Sequence, residues 1–132
     1  MGGAPASPAN GLGRLHQIAL RATDLDASVA FYRDVLRLPL IARFDPPGLA
    51  FFDLDGMRLM LSSNSTEATL YFAVADIHSK VNELQALGVG FEQLPTMIHR
   101  DDLGTFGEKG GEEWMAFFRD PSGNLLAVAE RR

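Results

Sequence analysis

Cysteine is absent from the chain, which excludes disulfides and thiolate chemistry and leaves the redox compartment open. Long apolar runs are missing too, and nothing approaches the length that spans a bilayer, so no membrane partner is expected. Clustered basic residues are lacking: the net charge is −5, and the only basic run is Arg131-Arg132. A phosphate-binding surface needs grouped Lys and Arg, so nucleic acid is not an expected partner either. No phosphate-cradling loop or nucleophile motif is present, because GEKGG lacks the Ser/Thr and helix that must follow. The opening MGGAPASPANGLG has neither a basic start nor an apolar stretch. Residues 1–13 read as a flexible tail rather than a secretion signal, and the expected location is the cytoplasm.

What remains is an ordinary globular composition, 46% apolar and 22% charged over 132 residues. That is enough chain for one domain with a real core, here residues 14–132. From Leu15, LHQIALRA alternates as a strand with one packed face. Thr23 and Asp24 offer capping oxygens to a helix whose apolar stripe is Leu25, Val29, Tyr32 and Leu36. RLPLIARF, LAFFDLD and MRLMLSS follow as strands, the last two joined by the hairpin signal Asp55-Gly56.

The second half repeats this order. TLYFAVA reads as a strand, and Asp76 caps a helix with the stripe Ile77, Val81, Leu84 and Leu87. Gly88 stands where a helix end favours positive φ. GVGFEQL, EWMAFFRD and LLAVAE read as strands, with DPSGN a turn before the last. Asp24-Leu25 superposes on Asp76-Ile77, and Phe51-Phe52…Gly56 on Phe117-Phe118…Gly123, with spacing that agrees to within one residue. An internal duplication accounts for this, giving module one (14–65) and module two (66–132).

Neither module can cover both faces of its own sheet. The expected fold is therefore α+β: paired βαβββ modules forming an open, barrel-like sheet of eight strands, helices outside and a cleft inside. The alternative is a sandwich whose inner face is simply filled core.

The stretches HQIALRATDLDASVAFYRDVLRLPL, LAFFDLDGMRLMLS, LYFAVADIHSKVNELQALGV and AFFRDPSGNLLAVAE resemble the vicinal-oxygen-chelate superfamily of glyoxalases, bleomycin-resistance proteins and dioxygenases. They cover nearly all of Leu15 to Glu130. One departure is Arg37, where the family usually has Gly. The resemblance implies a divalent metal held by one side chain from each of four strands. Those positions fall here on Gln17, Met60, Leu70 and Ala127. Thioether, isobutyl and methyl groups cannot ligate a first-row ion, and a Gln amide alone binds weakly. The expectation is a site with no metal and no other cofactor. A bulge in the first strand would be needed to turn His16 inward.

Strand alternation puts Gln17, Ala19 and Arg21 on the inner face, with Arg58 and Met60 on the fourth strand and Leu70, Phe72 and Val74 on the fifth. Arg21 and Arg58 are candidate anchors for a carboxylate, since guanidinium groups suit planar anions. In glutathione-using relatives the position of Arg21 contacts the substrate's carboxylate. The bland reading makes both arginines solvated strand ends. His99 sits in the longest polar stretch, PTMIHRDDLGTFGEKGGEEW, and Glu113 and Trp114 follow where the next strand begins. His99 and Glu113 are a candidate acid–base pair, and Trp114 a candidate aromatic edge. Their bland reading is a solvated loop His and a surface Glu.

Three readings of function follow. The first is a small-molecule-binding protein with a metal-free apolar cleft, its ligand anionic if the arginines anchor it. The second is an isomerase or lyase that works on a small carboxylate with side chains alone. The third is a metal enzyme of glyoxalase, epimerase or dioxygenase type with a rearranged site. A homodimer is expected, as is common for family members of this size.

Overall fold

The computed structural model describes residues 11–132; most of the proposed tail, residues 1–10, lies outside the described part. The elements run β1 (Leu15–Arg21), α1 (Leu25–Ala30), β2 (Leu40–Phe44), β3 (Leu49–Leu54) and β4 (Met57–Ser62). Then come β5 (Thr69–Ala73), α2 (Ile77–Ala86), β6 (Phe91–Asp101), β7 (Gly111–Arg119) and β8 (Leu125–Arg131). All strands join one eight-stranded sheet in the order β2-β3-β4-β1-β5-β8-β7-β6. The two modules meet within the chain where β1 runs antiparallel to β5. Each module closes in the same way, β1 parallel to β4 and β5 parallel to β8.

The helix starts are built as the sequence implies. Asp24 accepts from the Ala27 N–H at 3.1 Å, and Asp76 accepts from the Ser79 N–H at 3.2 Å, each filling an orphan donor of the first turn. At the Asp55-Gly56 hairpin both residues have positive φ (57° and 95°), the conformation of the tight turn that matches strand twist. Arg37 also has positive φ, 60°, where the sequence lacks a glycine.

Alternation along the strands divides the apolar residues between two faces. Outward from module one, Phe52, Leu59 and Leu61 pack on Leu25 and Val29 of α1. Outward from module two, Ala116, Phe118 and Val128 pack on Ile77 and Val81 of α2. Facing the concave side are Ala19, Tyr71, Met115, Ala127 and Ala129, with Met60 and Phe117 against them. The inner face is thus a shallow floor under open space, not a filled sandwich.

Three expectations change. Leu36 is half exposed rather than part of the α1 stripe. After Ala30 the helix widens into a five-residue π-type turn, in which the Leu36 N–H reaches the Phe31 carbonyl, and Leu38 packs on the core instead. Leu87 ends α2 fully outside, 75% exposed. The polar stretch after Leu94 is not one long loop. β6 continues to Asp101 and places His99 inside the strand, leaving residues 102–110 as the connection. Pairing with β7 recruits TMIHRD into the ladder, and register shifts between Gln93 and Thr96 accommodate Pro95, which has no N–H to donate.

Candidate functional site

The concave face opens into a cavity of about 410 Å³, within the range of small-molecule sites. Its wall is largely aromatic. Phe51 and Phe106 meet edge to face with centroids 5.0 Å apart, and Phe44 lies 6.3 Å from both Phe106 and His99. Tyr71 and Phe117 meet edge to face at 5.9 Å, and Met60 and Met115 line the space as well. Such contacts present ring faces and thioethers, which suit a flat apolar guest.

The polar part is an ion network on the cavity's side of the sheet. Arg58 donates to both oxygens of Glu113, each at 2.7 Å, in the two-pronged geometry that guanidinium and carboxylate share. Arg131 donates to Glu113 Oε2 at 3.1 Å and to Asp101 Oδ2 at 2.9 Å. Asp101 in turn accepts from the N–H groups of Thr105 (2.7 Å) and Phe106 (2.8 Å). The chain Arg58–Glu113–Arg131–Asp101 therefore ties the cavity wall to the loop that carries Phe106. That ring lies under the Arg58 guanidinium, 4.7 Å from its centroid, a cation–π contact.

Burial opposes ionisation of Glu113. The neighbouring His16 imidazole and the Arg58 guanidinium bonded to both its oxygens outweigh it and hold the carboxyl well below the usual carboxylate range. Asp101 follows the same pattern: burial raises its pKa, and bonds from Phe106, Arg131 and Thr105 bring it below the ordinary value. Burial pushes the Tyr71 phenol up, partly offset by the Arg58 charge and the Gln17 amide.

Most of the expected residues fall on this cavity: Gln17, Arg58, Met60, His99 and Glu113 all line it. Ala127 is fully buried in the floor beneath, against Tyr71 and Met115. His99 and Glu113 are partners in the β6–β7 register and share a face, yet the Glu113 oxygens are bonded to Arg58 and Arg131.

Others are elsewhere. Leu70 and Phe72 do not face the cleft: β5 presents Tyr71 inward, while Leu70 pairs with Leu126 and Phe72 with Val128 on the α2 side. The reason is one residue of phase, which reverses every side chain on a strand. Trp114 also faces α2, with its ring 5.6 Å from His78 and the Arg132 guanidinium 4.5 Å away. Arg21 is exposed at the end of β1 and outside the cavity wall. His16 does turn toward the site. The β1–β5 register shifts between Leu15 and Gln17, and the imidazole Nε2 comes within 3.3 Å of Arg58 and 3.7 Å of Glu113. Sequence reasoning missed the Pro46-Pro47 wall, Tyr71, Phe106 and the Asp101–Arg131 link. Only the aromatic content of the Phe106 loop signalled any of them.

The metal expected of the family does not fit these residues. The corresponding inner positions carry the Gln17 amide, the Met60 thioether, the Tyr71 phenol with its raised pKa, and the Ala127 methyl. Among the described residues no group of three or more His, Cys, Asp and Glu converges as a metal site. The nearest imidazole and carboxylate, His16 and Glu113, have Arg58 bonded to both. A guanidinium there repels a cation.

Comparison with known proteins agrees with this fold. Uncharacterized protein YraH of Bacillus subtilis is 28% identical over 136 residues, covering 87% of this chain and 96% of its own length. A hypothetical protein from Bacillus halodurans superposes with a TM-score of 0.69 at 20% identity, covering 90% of this chain and 94% of its own. Methylmalonyl-CoA epimerase from Mycobacterium tuberculosis superposes with a TM-score of 0.68 at 16% identity, covering 95% and 92%. At such identities the two structures speak for the fold alone. The family-level match extends over residues 14–128, and the chain belongs to the Glyoxalase/Bleomycin resistance protein/Dioxygenase superfamily.

Proposed function

We propose that this protein binds a flat, largely apolar small molecule in the concave cavity, without a metal ion. One observation carries the reading. The space that family enzymes use for metal chemistry is here walled by Phe44, Phe51, Phe106, Phe117 and two methionines, over inner strand positions that carry an amide, a thioether, a phenol and a methyl. Among the described residues, the strong charges on the wall already satisfy one another, Arg58 with Glu113. A guest gains from apolar burial and ring contacts, roughly 25 cal/mol per Å² removed from water. A thermal-shift screen of aromatic compounds against chelator-treated protein tests it. Stabilisation by members of that set is expected, and its absence across them overturns the reading.

The second reading is an enzyme that works by acid–base chemistry, favoured by His99 on the cavity wall beside Glu113 in register. Glu113, held ionised by two arginines, is a weak base, so His99 would act alone. Any turnover found with a cavity ligand should then fall by about 10²–10⁴-fold in His99→Ala, with affinity nearly kept. We also propose that the chain pairs with a second copy. Leu94, Met97 and Ile98 on the sheet-edge strand β6 are half exposed, which is the kind of edge that association covers. Light scattering giving a monomer at micromolar concentration contradicts this.

A further inference from the structure

Among the described residues, two buried side-chain polar atoms lack a hydrogen-bond partner: Gln17 Oε1 and Arg58 Nε. One is an acceptor and the other a donor. They belong to residues that are direct partners in the β1–β4 register, side by side on adjacent parallel strands, and both residues line the cavity. Adjacent strands lie about 4.8 Å apart, so the two side chains project together from the same face. A buried polar group left unpaired is destabilising, and each such group calls for an explanation.

We infer that Gln17 and Arg58 together read a ligand's adjacent carbonyl and N–H, as on an uncharged aromatic lactam or carboxamide. This inference rests on the reading of the cavity as a small-molecule site. The ligand carbonyl accepts from Arg58 Nε–H, and the ligand N–H donates to Gln17 Oε1. Gln17 is 2% exposed, and its amide nitrogen points at the Met60 sulfur at 3.8 Å, with the Tyr71 phenol also beside the carboxamide. A thioether is a weak acceptor, so the carboxamide is free to turn toward the guest at little cost.

The surrounding charges select an uncharged partner. Both terminal nitrogens of Arg58 are engaged by Glu113, and Arg131 is shared between Glu113 and Asp101. Those two arginines and two carboxylates cancel. A carboxylate guest would meet a guanidinium whose charge Glu113 already balances, and would bring an unmatched charge into a mostly apolar space. The Arg58 guanidinium lies against the Phe51 and Phe106 rings, which suits a flat guest that bears the lactam in its own ring plane. This replaces the anionic ligand suggested by the arginines in the sequence.

Four probes of similar shape separate the possibilities by calorimetry: 2-quinolone, N-methyl-2-quinolone, naphthalene and 2-naphthoate. The wild-type protein should bind 2-quinolone roughly 5- to 30-fold more tightly than the other three. In Gln17→Met, which keeps the length of the side chain but loses the acceptor, the preference for 2-quinolone over its N-methyl form should collapse. Should that variant not fold, the wild type supplies the same test by NMR. The Gln17 side-chain amide resonances should move with 2-quinolone and stay in place with naphthalene, and equal movement overturns the inference. Equal affinity for 2-quinolone, its N-methyl form and naphthalene overturns the paired-edge reading and leaves the apolar cleft standing. Tighter binding of 2-naphthoate overturns it in favour of an anion site. Binding of none of the four removes the cleft reading as well.

Discussion

Replacing Glu113 by Gln tests whether the ion network is the structural hinge between the cavity wall and its loop. The side chain keeps its size and one carbonyl oxygen but loses the charge that two arginines share. Arg58 is only 12% exposed in its side chain and Glu113 only 5%, so solvent cannot replace the lost partner. Removing one member of a buried pair typically costs about 3–5 kcal/mol. For a chain of this length that lowers Tm by roughly 10–20 °C. Urea unfolding at pH 7 reads the loss directly. The double variant Arg58→Met, Glu113→Leu should recover much of it, because an apolar replacement of a buried pair is often near neutral. The pH dependence has a defined sign. The folded-state pKa of Glu113 is depressed below its ordinary 4.5, so its stabilisation is fully present above that value. It drains away as the pH falls below about 4.5, because the unfolded chain then binds the proton more readily. Glu113→Gln should therefore show a flatter acid limb than wild type. A loss below about 1 kcal/mol at pH 7, with an unchanged acid limb, would refute the reasoning.

Other consequences are more local. Asp101→Asn weakens the acceptor for the Thr105 and Phe106 amides, so hydrogen exchange at those two positions should speed up while α2 amides are unaffected. Phe106→Ala removes a ring that touches Phe51, Phe44 and Arg58, and should weaken an aromatic guest by roughly 1–3 kcal/mol, measured by calorimetry. Arg21→Ala should leave the affinity of that guest unchanged, because the side chain lies off the cavity wall. A loss comparable to that of Phe106→Ala would place the guest elsewhere.

The fold was legible because its signals are local and repeated. Asp24 and Asp76 cap their helices, Asp55-Gly56 forms its turn, and alternation places Gln17, Arg58 and Met60 on one face. The site was only partly legible, for reasons of phase and distance. On β5 an error of one residue exchanged Tyr71 for Leu70. At Trp114 alternation from Glu113 gives the outward direction, whereas its place at the start of EWMAFFRD, beside a polar stretch, suggests an aromatic cleft edge; β7 begins earlier, at Gly111. The contacts that organise the cavity, Arg58 with Glu113 and Arg131 with Asp101, join residues 55 and 30 positions apart. No spacing rule connects such residues, since their meeting depends on how β4, β6, β7 and β8 assemble. The bulge that turns His16 toward Glu113 has no sequence mark of its own.

The central claim is that the cavity takes its guest without a metal ion. It is tested most directly by titrating untagged protein with an aromatic cavity ligand before and after EDTA treatment, with metal content measured on the same samples. The prediction is one unchanged Kd and far less than one Ni, Zn, Fe or Co per chain in both. A stoichiometric metal whose removal abolishes binding would contradict it.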